Sequence, residues 1–200
     1  MTTTSPRLVT WENGTDLVIE LPLDVEPAAV WAKLTDREEA GTWFAPFRVE
    51  SPGAGESDGG SETEGDSETG SDADPTGDTE SAGEANPRIT FDLGETQLDG
   101  VILSSEVEDH VLVELDDFGV LGFQLLPLEL TDGAATLLVF TQSAPDVESA
   151  RLKAADFGPM WDTHLRLFAR SFGLEVTEAS EPELLERYAD LELEDGRDAE

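Results

Sequence analysis

The sequence predicts an α+β fold in which a curved antiparallel sheet receives a long C-terminal helix. Three observations carry this. Strand signals follow one another closely between Arg88 and Thr141, and the acidic or glycine-containing breaks between them are too short for parallel crossovers. From Pro159 to Phe172, the apolar residues Trp161, Leu165, Phe168 and Phe172 recur at spacings of four, three and four, a continuous helical stripe. A helix with one greasy side must cover something apolar, and the preceding sheet is the surface available.

Taken in order, Leu17 to Leu21 follows the turn signal Glu12-Asn13-Gly14 and reads as the first strand, while Met1 to Arg7 is Thr- and Ser-rich without an apolar core. Pro27 suits a first helical turn, and Val30, Trp31 and Leu34 lie at helical spacing behind it. A second short helical stretch runs from Arg37 to Trp43 and ends in the aromatic cluster Trp43-Phe44-Ala45-Pro46-Phe47. Ile89, Phe91 and Leu93 alternate with Arg88, Thr90 and Asp92 as a half-buried strand does. Strands follow at Gln97 to Ser104, His110 to Leu115, Val120 to Leu128 and Ala135 to Thr141, with turn signals at Asp99-Gly100, Glu108-Asp109, Asp116-Asp117 and Asp132-Gly133. In the terminal helix, Pro159 marks the start and Gly173 the stop, with Asp162, Arg166 and Arg170 on the wet side.

Charge divides the chain. Of 46 acidic residues against 11 basic ones, eleven lie between Ser51 and Pro87, a tract of Gly, Ser, Thr, Ala, Asp and Glu with no basic residue. With no large apolar side chains to offset chain entropy, 51–87 is expected to be a disordered insert in a domain spanning 1–174. It is readable as a spacer or an electrostatic mask over a pocket entrance. The segment 175–200 is an acidic tail that can form one amphipathic helix through Pro182, Leu184, Leu185, Tyr188 and Leu191 after a Ser180 cap. Adaptation to high salt and a plain acidic insertion both account for the charge.

A net charge of −35 repels phosphate, so nucleic acid and anionic membrane surfaces are not expected as partners. The absence of cysteine excludes disulfides, thiol catalysis and cysteine-ligated metals. No long apolar run and no apolar leader are evident, which predicts a soluble, cytoplasmic chain.

The order strand, helix, helix, meander, long helix resembles the START-like (SRPBCC, Bet v 1-like) superfamily. Val30-Trp31-Ala32-Lys33-Leu34-Thr35-Asp36 with Trp43-Phe44-Ala45-Pro46 is similar to a signature of one branch, the C-terminal domain of the activator of heat-shock protein 90 ATPase. Gly133 to Thr141 resembles that branch's last strand, and Gly158-Pro159-Met160-Trp161 with Leu165 and Phe168 its terminal helix. The resemblance covers Asp16 to Gly173 and implies a helix-grip fold around an apolar cavity.

The chemistry on offer is sparse. His110 and His164 are the only histidines, and His164, beside the apolar stripe, suits a polar anchor, an acid or base, or a packed edge residue. Glu114, Asp116 and Asp117 read as a turn cluster before a catalytic pair. No metal-ligand spacing, phosphate loop or nucleophile elbow occurs, so no metal or cofactor is expected. Phe47, Phe91, Phe123, Trp161, His164, Leu165 and Phe168 are the candidate cavity lining, with a filled core as the competing reading. The function expected is non-catalytic binding of a small apolar molecule between sheet and helix. The alternative is a chaperone-associated interaction domain, and a cyclase- or hydrolase-type enzyme relying on His164 is a third.

Overall fold

A computed structural model of the chain describes residues 1–51, 86–130 and 133–196. Its elements are β1 (Ser5–Trp11), β2 (Gly14–Leu23), α1 (Pro27–Thr35), a 3-10 turn (Glu39–Thr42), β3 (Phe47–Glu50) and β4 (Arg88–Asp92). There follow β5 (Gln97–Glu106), β6 (His110–Leu115), β7 (Gly119–Leu130), β8 (Gly133–Ala144), α2 (Val147–Ser171), α3 (Glu181–Ala189) and β9 (Leu193–Asp195). The expected disorder of 51–87 and the turn at Asp132 fall almost wholly outside the described residues.

Among the described residues, one sheet holds every strand, in the order β3-β4-β5-β6-β7-β8-β2-β1-β9. Each neighbouring pair is antiparallel except β1 and β9. This is the predicted α+β helix-grip: a curved antiparallel sheet with a long helix against it, whose stripe Trp161, Leu165 and Phe168 is 2, 1 and 0% exposed.

Several expectations need correction. The terminal helix starts at Val147, twelve residues before Pro159, because Asp146 caps it by accepting the Ser149 N–H at 2.8 Å. Pro159 lies inside the helix. It forfeits one backbone hydrogen bond there, while the turns before it bury Ala150, Ala154 and Gly158. Asp162 and Arg166 are not on a wet side: they are 0% and 4% exposed, covered by α3 and by the N-terminal Thr4.

The first strand is β1, not β2. Its buried pair Leu8 and Val9 are adjacent, as in a strand covered on both faces, so it shows no alternation. The predicted turn at Asp99-Gly100 is strand instead. Gly100 pairs with Leu115, and a Cβ on it would lie 2.3 Å from the Glu114 carbonyl oxygen, so this glycine serves a close approach of two backbones. The actual β4–β5 turn is held by Asp92, whose Oδ1 accepts the Gly94 N–H at 2.9 Å, and it leaves Leu93 exposed. Between α1 and β3, the Asp36 side chain accepts the N–H groups of Glu38 and Glu39 at 2.9 and 2.8 Å, fixing the 3-10 turn that delivers Trp43.

The segment from Glu175 is part of the packed structure. Ser180 and Glu183 form a capping box at the start of α3, which buries Leu184 and Tyr188. β9 then extends the sheet alongside β1.

Candidate functional site

The alternation of β3 to β7 sends one set of side chains toward the helices. Phe47 and Val49 from β3, Ile89 and Phe91 from β4, Val111 and Val113 from β6, and Leu121 and Phe123 from β7 share this face. Above them lie the end of α1, the 3-10 turn and the Trp43-Phe44 pair. The two layers do not close on each other. They leave a cavity of about 210 Å³ walled by these residues and by Leu34, Trp43, Phe44 and Trp161. The hydroxyls on its wall are those of Thr35 and Ser105, and the Thr35 hydroxyl donates to the Trp31 carbonyl oxygen at 2.8 Å.

Aromatic rings frame the space in edge-on and tilted contacts. Trp43 stands 5.0 Å from Phe168 and 6.2 Å from Phe123, while Phe44 stands 5.2 Å from Phe91 and 5.4 Å from Trp161. Trp161 is backed by Phe140 at 5.0 Å and Phe118 at 5.4 Å. Such contacts hold rings in fixed orientations beyond what area burial supplies.

Of the seven candidate residues, Phe47, Phe91, Phe123 and Trp161 meet at this cavity, and His164, Leu165 and Phe168 do not. Leu165 and Phe168 pack inside the core. His164 shares a 2.7 Å hydrogen bond between Nδ1 and the Trp43 carbonyl oxygen and sets its ring edge-on to Phe44 at 5.1 Å. Its place is behind the wall, as a support for Trp43. The wall residues the sequence analysis did not name come mainly from the Leu34 to Phe44 segment and from valines and isoleucines of the sheet. Strand alternation alone would have found Val111 and Val113.

Elsewhere, Asp162 forms a buried ion pair with Arg166 Nε and accepts hydrogen bonds from Thr4 Oγ1 at 2.8 Å and the Tyr188 hydroxyl at 2.9 Å. Burial, reinforced by the Asp162 charge, pushes the Tyr188 phenol well above its ordinary range. Every member of this network has a partner within the chain, so it ties the N-terminus, α2 and α3 together. Glu106, Asp109 and His110 bring ligand atoms within 4.8 Å of one another at the β5–β6 turn. Both imidazole nitrogens are already engaged, with Asp109 Oδ2 at 2.6 Å and Ser104 Oγ at 2.8 Å. Glu114, Asp116 and Asp117 are exposed. Among the described residues, no helix is long and apolar enough to cross a membrane.

No protein-family model matches the sequence, and no curated protein matches it. Solved structures do. EF2215 from Enterococcus faecalis, a conserved protein of unknown function, superposes with a TM-score of 0.56 at 17% identity, over 92% of this chain and 87% of that one. CalU16 from Micromonospora echinospora gives 0.55 at 12% identity, over 94% and 93%. The protein SSP2350 from Staphylococcus saprophyticus gives 0.50 at 13%, over 82% and 97%. At such identities the likeness concerns the fold alone, and that fold is a helix-grip of the START/Bet v 1 kind.

Proposed function

We propose that the chain is a non-catalytic binding domain that holds a small apolar molecule in the cavity beneath Trp43 and Phe44. The observation that carries this is the cavity itself: about 210 Å³, walled almost entirely by aliphatic and aromatic side chains. Removing apolar ligand surface from water yields about 25 cal/mol per Å², less the cost of association. A dry cavity of about 150 Å³ suffices for benzene, so this one suits a molecule of one to two rings or a short branched chain. Among the described residues, the lining contains no carboxylate, imidazole or amine, which favours binding over acid–base chemistry.

Native mass spectrometry of the purified protein, followed by thermal-shift screening with single-ring, double-ring and acyl probes, tests this reading. A retained mass or a probe that raises Tm supports it, and a ligand-free protein unmoved by every probe overturns it.

The chaperone-associated alternative rests on the motif from Val30 to Pro46. Leu34, Thr35, Trp43 and Phe44 of that motif all stand on the cavity wall, so cavity building accounts for them without a protein partner. The rate of a chaperone ATPase with and without this protein would decide it, an unchanged rate at saturation removing the alternative.

A further inference from the structure

The cavity beneath Trp43 and Phe44 has an open end and a closed end. β5, β6 and β7 run side by side under it, and their register sets Ser105, Val111 and Phe123 in one row, Ile102, Val113 and Leu121 in the next, and Leu115 beyond them. Exposure falls along the rows. Ser105 is exposed and Val111 half-buried, whereas Val113, Leu121 and Leu115 are 6, 1 and 2% exposed. From Val111 to Leu115 the strand advances four residues, about 13 Å. Polarity follows the same gradient: among the described residues, the exposed members of the wall are Thr35, at the end of α1, and Ser105, and these are also its hydroxyl-bearing members. The Thr35 hydroxyl spends its hydrogen on the Trp31 carbonyl oxygen at 2.8 Å, so toward a ligand it can only accept.

Resting on the proposed binding role, we propose that the ligand is a small amphiphile, a ring or short chain that lies with its apolar part toward Leu115 and Leu121 and keeps one terminal hydrogen-bond donor, a hydroxyl or an amine, at the mouth beside Thr35 and Ser105. The depth of the cavity accepts only the apolar part, because past the mouth the wall side chains are aliphatic and aromatic, and a polar group carried there loses its water without gaining a partner. At the mouth the same group keeps its contact with water and meets a hydroxyl oxygen able to accept from it. An anionic end is disfavoured: among the described residues no Lys, Arg or His stands on the wall, and the chain carries a net charge of −35.

The test compares two isomers on the full chain by calorimetry, 3-phenylpropan-1-ol with its hydroxyl at the end and 1-phenylpropan-1-ol with its hydroxyl beside the ring, together with the anion 3-phenylpropanoate. The terminal alcohol is expected to bind about tenfold more tightly than its isomer, which must bury the hydroxyl or leave apolar surface outside, and more tightly than the anion. Intermolecular NOEs in the wild-type protein should join the ring protons to Leu115 and Leu121 and the hydroxyl-bearing methylene to Ser105 and Val111. The exposed pair Thr35→Val and Ser105→Ala, combined in one variant, should weaken the terminal alcohol about threefold, the scale of one hydrogen bond. Equal binding of the isomers, NOEs of the opposite sense, or binding of the anion as tight as that of the alcohol overturns the oriented-amphiphile inference and leaves the apolar-cavity reading standing. Failure of both alcohols to bind overturns the two together. The NOEs decide the orientation even where the double variant fails to fold.

Discussion

The Tyr188 hydroxyl donates to Asp162 Oδ2 at 2.9 Å across the α2–α3 contact, and the Tyr188 ring occupies the space that the missing side chain of Gly158 leaves open. One helical turn of α2 thus offers a gap and then an acceptor to the same tyrosine. The C-terminal helix is keyed to the molecule by shape and by hydrogen bonding at once.

Replacing Asp162 with Ala is expected to destabilise the fold by about 3–5 kcal/mol, because Arg166 would remain a buried charge without its counterion. Urea unfolding measures this, and a loss under about 1 kcal/mol, the value of an exposed ion pair, would show the network to be dispensable.

Tyr188 also sets an alkaline limit. The folded state keeps the phenol protonated above its ordinary value of 10.0, whereas the unfolded chain releases that proton. The contribution is therefore complete below pH 10.0 and is lost as pH rises above it, at up to about 1.4 kcal/mol per pH unit. Tyr188 is the sole tyrosine, so phenolate absorbance reports it directly and is expected to appear together with unfolding. In Tyr188→Phe this part of the alkaline decline disappears.

Gly158→Ala tests the steric half of the same contact. In an exposed helix interior the change would gain about 1 kcal/mol. Here the new Cβ would lie 2.1 Å from Tyr188 Cδ1, and a net loss of about 1–3 kcal/mol is expected from overpacking. A double-mutant cycle with Tyr188→Leu should recover most of that loss, and additive effects would separate the two residues.

Helix starts set the acid side. Hydrogen bonding from Ser149 holds the Asp146 carboxyl below its ordinary 3.8, and the Ser180 hydroxyl and N–H hold Glu183 below its ordinary 4.5. A depressed value in the folded state means stability that is complete above the ordinary one and is lost as pH falls below it. Carbon-detected titration should find both midpoints low, and Ser180→Ala should raise that of Glu183 alone.

What the sequence made legible follows from periodicity. The Trp161-Leu165-Phe168 stripe and the β6 and β7 segments repeat cleanly enough to announce both the element and its buried face. Features that depend on a distant partner were not legible. Asp162 and Arg166 carry every mark of a solvated helical pair until α3 covers them, and Gly100 resembles a turn until Glu114 comes within reach of its Cα. The cavity divides the same way. Its aromatic members stand out by size, whereas Val111, Val113 and Ile102 look like ordinary strand residues, and only the register of β5 to β7 brings them beneath Trp43.

That register makes Val111 the position from which to fill the space. It is half-buried on the cavity face of β6, opposite Phe123. In a closely packed core, Val111→Phe would cost about 1–3 kcal/mol through overpacking. Into an unfilled cavity of about 210 Å³ the larger ring brings extra apolar burial, so stability is expected to hold or rise by about 1 kcal/mol. The same substitution should abolish binding of any probe that raises the wild-type Tm, because ligand and side chain compete for one volume. Strong destabilisation of Val111→Phe, or ligand affinity equal to that of the wild type, would mean that the volume beneath Trp43 is not where small molecules enter.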